Sequence, residues 1–310
     1  MQTTITQLTI YPVKSLGYIN VNEAICLPTG LQYDREWVVV DDKMRFVTQR
    51  QIPQMANIKL SLTATHLQFD YLDHTPLLIE LAPKPDDAPT CEVQVWKDLC
   101  LGVNEGKAAS DWLTTILGRN NNEQLHLVRF AQARRRTVRE KYSDNEAGHL
   151  MFADACPFLI VNEASLAALN EALQAQALTP VPIDRFRGNI QITDAPAWEE
   201  YACKQMQVVQ EANSKTTTLV LRADAPCHRC PMTGIDQQTG LTPEKGEPFG
   251  TLMRLPIPEN KTGAYFGMHA TFEAIVELDK TSQQKMYFDG NQQPPKQVLL
   301  KVGEKLEFSY

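Results

Sequence analysis

A mainly β chain with a few helices, α+β in class, is what this sequence predicts. Short alternating apolar runs recur along most of it. Only two stretches carry the 3.6-residue period of an amphipathic helix. Turn-forming residues separate the runs throughout.

Thr4 to Tyr11 alternates and stops at Pro12, as a strand should. Glu36-Trp37-Val38-Val39-Val40 is β-branched and aromatic and ends at the turn pair Asp41-Asp42. Ile58 to Leu62 and Glu92 to Trp96 alternate as well. Short strands at this spacing predict a barrel or sandwich for the first hundred residues. Ala109, Trp112, Leu113 and Ile116 fall at helical spacing within Lys107 to Leu117, with Gly118 as a stop. The polar stretch that follows, 118–123, marks a domain boundary, giving units 1–122 and 123–310. A second helix starts after the N-cap candidate Asn162, with Leu166, Leu169 and Leu173 as its buried stripe. Strands resume over Gly188–Thr193, Met206–Gln210, Thr217–Leu221 and Thr271–Leu278. Val302-Gly303-Glu304-Lys305 then reads as a turn between two closing strands.

The 310 residues suit two domains or one large one. A net charge of -7 makes general nucleic-acid binding a poor expectation, because that depends on neutralising phosphates. No basic start followed by an apolar run suggests a signal peptide, and no run is long enough to suggest a membrane span. The seven cysteines, odd in number and mostly far apart, fit a reducing compartment. The expectation is a cytoplasmic protein without a membrane or nucleic-acid partner.

The most informative stretch is Ala225-Pro226-Cys227-His228-Arg229-Cys230-Pro231-Met232-Thr233. Three readings are open. The cysteines could be a buried, chemically silent pair. They could be half of a zinc site, but Cys26, Cys91, Cys100, Cys156 and Cys203 offer no second close pair. They could hold a reactive or metal-bearing thiolate, with Arg229 favouring the charged sulfur. The flanking prolines and β-rich surroundings favour a single thiolate on a soft metal over a thioredoxin-like dithiol.

Those residues, followed by Thr233, Asp236, Thr239 and Gly240, resemble the signature of the MOSC family, which includes the mitochondrial amidoxime reducing component and its bacterial relatives. Further blocks resemble the same family in its order: Tyr11 to Ser15, Asp34 to Trp37, Phe46 to Pro53, Pro157 to Leu166, and Phe186 to Ile190. The resemblance implies an N-terminal β-barrel domain followed by a barrel-like MOSC domain. It implies a molybdenum cofactor whose metal is bound by the second cysteine of the pair, Cys230. It implies cofactor-binding roles for Lys14, Ser15, Arg35, Thr48, Arg50, Arg187, Asn189 and Arg229. Pyridoxal phosphate binding is a further property that goes with the family. The implied reaction is reduction of N-hydroxylated compounds, with electrons from a separate iron–sulfur, haem or flavoprotein donor. The rivals are a sulfur carrier for cofactor sulfuration, using Cys230 as acceptor, and a cofactor carrier.

One departure stands out. The family often has Phe-Arg-Pro-Asn where this chain has Phe186-Arg187-Gly188-Asn189, and Gly188 is expected to loosen the placement of Asn189. The scattered cations suit an anionic cofactor tail, since a guanidinium can make two parallel bonds to a phosphate. Asp154, with His149 nearby, is read either as a proton relay beside the metal or as a turn residue. His228 is expected to point away from the metal, His269 carries no further signal, and Trp198 is assigned to the core. The basic run Arg134-Arg135-Arg136, with Arg129 and Arg139, is read first as a solvated face.

Overall fold

The structure is a computed structural model that describes all residues except 86, 119–122, 132–135, 145–147, 213, 256–261 and 290–296. Most of the expected boundary stretch therefore lies outside the described residues, as do Arg134 and Arg135.

Seven strands close into a barrel: β1 (Gln2–Ile10), β2 (Phe158–Asn162), β3 (Ile190–Thr193), β4 (Gln205–Ala212), β5 (Lys215–His228), β6 (Tyr265–Asp279) and β7 (Lys305–Ser309). Their order around it is β2-β3-β1-β7-β4-β5-β6, and β6 pairs back onto β2. Leu159 lies opposite His269 at that closing seam. Ile5 and Leu8 from the first strand, Phe158 and Ile160 from β2, and Ile190 and Ile192 from β3 fill one apolar core. Closure leaves no unpaired edge along these strands.

The first strand of the chain is thus a stave of the second unit's barrel. It runs antiparallel to β3, with Thr4 opposite Thr193, and antiparallel to β7, with Thr3 opposite Leu306. Immediately after it, Val13–Lys14 pairs in parallel with Trp37–Val40 in a separate five-stranded sheet. That sheet also contains Thr90–Val95, Asp98–Asn104 and His126–Phe130. Helix α1 (Lys107–Leu117) covers it. Ala109, Leu113 and Leu117 join Val39, Leu127 and Ile52 in a second core.

Helix α2 (Glu163–Gln174) begins where the sequence places it. The Asn162 Oδ1 accepts from the Ala164 amide at 3.0 Å, and its Nδ2 donates to the Glu200 carboxylate. The buried stripe differs by one position. Leu169 and Leu173 are buried, but Leu166 is only partly so. Ser165 takes the deeper place because its hydroxyl donates to the buried Glu200. The last turn also forms as expected, with Gly303 at φ 91 between Val298–Lys301 and β7.

Candidate active site

A cavity of about 450 Å³ opens at the seam between the two units. Every residue implied by the family blocks lines it: Lys14, Ser15, Arg35, Thr48 and Arg50 from the first unit, and Arg187, Asn189, Arg229 and Cys230 from the second; Asp154, singled out separately, lines it too. Lys97, Arg139 and Lys141 line it too, so eight cationic side chains meet one lining carboxylate, Asp154. An overall acidic chain has concentrated its positive charge in one hollow, which is what an anionic ligand requires.

The inner wall is built around Tyr11. Arg35 and Arg187 both lie over its ring, each 4.2 Å from the centroid. Arg35 donates to both oxygens of buried Asp34 at 2.6 and 2.5 Å, and to the Arg187 carbonyl at 3.1 Å. Asp34 also accepts the Tyr11 amide at 2.8 Å. Arg187 donates to the Leu16 carbonyl at 2.8 Å and to Gln237 at 3.1 Å. Burial lowers the Arg187 guanidinium to about 10, still charged at neutral pH. Ser15, Arg35, Trp96 and Arg187 all have φ between 51° and 66°. Such left-handed backbone costs about 1–3 kcal/mol per residue and collects where ligands are clamped.

Lys14 is buried and donates to the Phe152 carbonyl at 2.9 Å and to Asp154 Oδ1 at 2.5 Å. Its ammonium is held below its usual range by burial, against the pull of Asp154. Asp154 also accepts from the Trp96 indole at 2.6 Å. Its side chain is 57% exposed, toward the cavity. Its partly walled position raises its carboxyl, but the Lys14 ammonium and the indole win and hold it well below the usual carboxylate range. Asp154 thus anchors Lys14 while presenting its carboxylate to the cavity.

The cysteines sit differently. Cys227 is buried and its Sγ accepts from Arg229 Nη1 at 2.9 Å. Burial would push that thiol up, but Arg229 and the His269 ring bring it down to about 6. Cys230 is half-buried and faces the cavity two residues beyond His228. Arg229 also donates to the Phe186 carbonyl at 2.8 Å, and its buried Nε has no partner among the described residues. An orphaned buried donor beside a cavity is a place for an acceptor supplied by a ligand. Among the described residues no group of three His, Cys, Asp or Glu side chains could hold a bare metal ion. The donor set here, one accessible sulfur among cations, fits a metal that arrives with its own anionic ligand.

Asn189 is not loosened by Gly188. Its Oδ1 accepts from the Leu159 amide at 3.2 Å, its Nδ2 donates to the Thr9 carbonyl at 3.2 Å, and its side chain also bonds Asp34. Its backbone amide donates to Leu159, and its carbonyl accepts from Thr9. The amide ties β1 to β2 and holds Asp34 under the arginines. Space explains Gly188. A Cβ there would meet the Val161 methyls at 2.6 and 2.7 Å, and a β-branched side chain cannot swing aside. Gly188→Ala is expected to cost about 1–3 kcal/mol, and Val161→Ala in the same chain should recover much of it. Denaturant midpoints check this; a Gly188→Ala protein as stable as wild type would refute the steric account.

Two family profiles match the chain: the MOSC N-terminal beta barrel domain over residues 2–120, and the MOSC domain over residues 147–283. The chain belongs to the MOSC family. It is 29% identical over 282 residues to mitochondrial amidoxime-reducing component 1 of Mus musculus, covering 89% of this chain and 78% of that protein. It is 31% identical over 281 residues to the molybdenum cofactor sulfurase of Anopheles gambiae, covering 85% of this chain and 34% of that protein. For the sulfurase of Drosophila persimilis the figures are 29% over 294 residues, 89% and 33%. The chain therefore spans about a third of the sulfurases' length.

Within the MOSC signature, the downstream residues fasten rather than line the site. Asp236 accepts from the Gln238 and Thr239 amides and from Arg185 at 2.8 Å. Gly240, at φ 68, passes so close to Pro53 and Asn57 that a Cβ would lie 3.0 Å from each. The signature thus docks the MOSC unit on the first one. Gln237, between them, exchanges amide bonds with Gln49 and receives Arg187. Thr48 is buried, with its hydroxyl turned to Gln51 at 3.1 Å. His228 is exposed and packs edge-on against Tyr265. His149 is buried opposite Thr137 and lies outside the cavity wall.

Sequence reasoning missed Trp96, Lys97, Tyr142, Gln49, Gln237 and the placement of His269 on the cavity wall. The solvated-face reading is also corrected at Arg129, Arg136 and Arg139, the described members of the basic cluster. Arg129 is buried against Glu105, with Nε 2.8 Å from the carboxylate. Arg136 is buried and bonds Asp98 and two backbone carbonyls. Arg139 shares Asp98 and reaches the cavity. No described helix is long and apolar enough to cross a membrane.

Proposed function

We propose that this chain is a molybdenum-cofactor oxidoreductase that reduces N-hydroxylated compounds such as amidoximes, hydroxylamines and N-hydroxylated bases. The observation that carries the reading is the meeting of a cavity-facing Cys230 with eight cations in one hollow. When bound, the cofactor would supply two-electron chemistry at a metal held by the Cys230 sulfur. Arg187, Arg35 and Ser15 would hold its anionic tail, and Arg229 Nε, which has no partner among the described residues, would donate to it. Lys14, kept charged by Asp154, adds fixed positive potential. Because these groups are already anchored to backbone carbonyls and carboxylates, they need little reorganisation when the ligand arrives. Cleaving an N–O bond to amine and water consumes two electrons and two protons. The protons would enter from solvent through the open mouth, past the Asp154 carboxylate. Electrons would come from a separate iron–sulfur, haem or flavoprotein donor, and we place the protein in the cytoplasm.

Kinship with cofactor sulfurases and the acidic Cys227 thiol favour one second reading, sulfur transfer at the cysteine pair. Protein made in a cofactor-competent host separates the two. The reductase should carry molybdenum near one atom per chain and reduce benzamidoxime with an artificial electron donor. Metal-free protein carrying a labile sulfur would defeat it in favour of sulfur transfer.

A further inference from the structure

The cavity has two tiers. Lys14, Arg187 and Arg229 are buried at its inner end, while Arg50, Lys97 and Lys141 are exposed around its mouth. The inner cations already have work: carbonyls, Asp154, Gln237 and the Cys227 sulfur take their donors. Of the outer three, Arg50 and Lys141 lie over aromatic rings and none is ion-paired among the described residues. Among the described residues, no carboxylate lies within ion-pair distance of Arg50, Lys97 or Lys141. The nearest lining carboxylate, Asp154, spends the same oxygen on Lys14 and the Trp96 indole.

These outer cations come with aromatic rings, Trp96 exposed and Tyr142 half-buried. Trp96 is 41% exposed, at the tip of the hairpin joining Thr90–Val95 to Asp98–Asn104. Arg50 lies over its ring, 4.8 Å from the centroid, and Phe46 packs beside it at 5.0 Å. Its φ of 57° is unusual for so bulky a residue, which marks an imposed orientation. From the other unit, Lys141 lies 4.3 Å from the Tyr142 centroid, and Tyr142 meets His269 edge-on at 5.8 Å. One unit thus contributes a cation–indole pair and the other a cation–phenol pair to a single opening. Flat faces favour a planar π-system, and unpaired ammonium and guanidinium groups favour negative charge on it.

We propose that this mouth selects substrates bearing a carboxylate or phosphate on a planar ring, so that the reducible N–O group is carried on an anionic aromatic or heteroaromatic compound. Arg50, which the family resemblance gives to the cofactor, would serve both ligands; with Lys97 and Lys141 it meets the substrate's charge, and Trp96 and Tyr142 meet the ring. The inference rests on the reductase reading and adds the substrate class to it. Exposed charges each contribute little, so three acting together should give about a tenfold preference at low salt, shrinking as salt screens them.

The test has a turnover arm and a binding arm. In the first, loaded enzyme is given benzamidoxime and its 4-carboxy and 4-trimethylammonio derivatives. The expected order of kcat/KM is anion, neutral, cation, with about tenfold between steps in 20 mM salt and much less in ~0.5 M. Lys97→Gln with Lys141→Gln should collapse the ratio of anion to cation. In the second arm, 4-carboxybenzamide and benzamide, which cannot be reduced, are titrated while tryptophan fluorescence is read, with Trp96→Phe identifying the responding ring among four tryptophans. The anion should bind about tenfold tighter. Equal constants in both arms, or a ratio untouched by the double variant, overturns the proposal. So does a variant that alters only the KM for the electron-donor protein, since the mouth would then be its docking surface. Anion-selective binding with no turnover of any benzamidoxime would uphold the selectivity and sink the reductase reading.

Discussion

Cys230→Ser protein from a cofactor-competent host is expected to lose its molybdenum and its N-reductase activity while melting as wild type does. A serine oxygen is a poor donor to a soft metal, so the sulfur's place is not filled. The loss should exceed the roughly 10–100-fold that follows removal of an outer-sphere partner. Stability should change by less than about 0.5 kcal/mol, because Cys230 is half-buried and only its backbone carbonyl is used, by Thr233. Cys227→Ser should behave differently. Its sulfur holds Arg229 and, though buried, touches the cavity wall, yet it is not the implied ligand, so activity should fall about tenfold with metal retained. Metal analysis and turnover on the two variants decide the matter. Equal, complete loss in both would show that the cysteines act together as a dithiol.

Arg187→Gln is expected to damage fold and site at once. The change withdraws a buried guanidinium from the Leu16 carbonyl, from Gln237 and from the face of Tyr11. It also removes a neighbouring positive charge from the surroundings of buried Asp34, which keeps its bonds to Arg35. Breaking such a buried network costs about 3–5 kcal/mol. At roughly 2–4 °C per kcal/mol for a chain of this order of size, the melting temperature should drop by about 6–20 °C. Protein that survives purification should be depleted in pterin and metal. Thermal melts with cofactor analysis check both; an unchanged melt with full cofactor would show that the guanidinium matters to neither.

What the sequence reveals about this molecule is what local physics encodes. Helix α1 spans Lys107–Leu117 as its periodicity indicates, and Asn162 caps α2, because spacing and capping act within a few residues. The site residues could be named because each sits in a family-like block, and the fold places those blocks around one cavity. The remainder depends on contacts distant in sequence. That Thr4 lies opposite Thr193 has no local signature, so the first strand's place in the second unit's barrel could not be read. Arg129 and Arg136 looked solvated because their partners, Glu105 and Asp98, are far along the chain. Trp96 and Lys97 reach the cavity only because a hairpin tip is folded over it, and Asn189 appeared free until Thr9, Leu159 and Asp34 claimed its amide.

The opening stave of the barrel has a mechanical consequence. Many two-part enzymes admit large ligands by swinging one part away from the other on a hinge. Here such a swing would tear at Tyr11 to Lys14, where the chain leaves the barrel and enters the other sheet, and the Asn189 stitches on either side resist it. The two halves are laced together rather than laid side by side. The cofactor we propose would then have to be threaded through the mouth or enclosed as the chain folds, and once seated it would have no wide gate by which to leave.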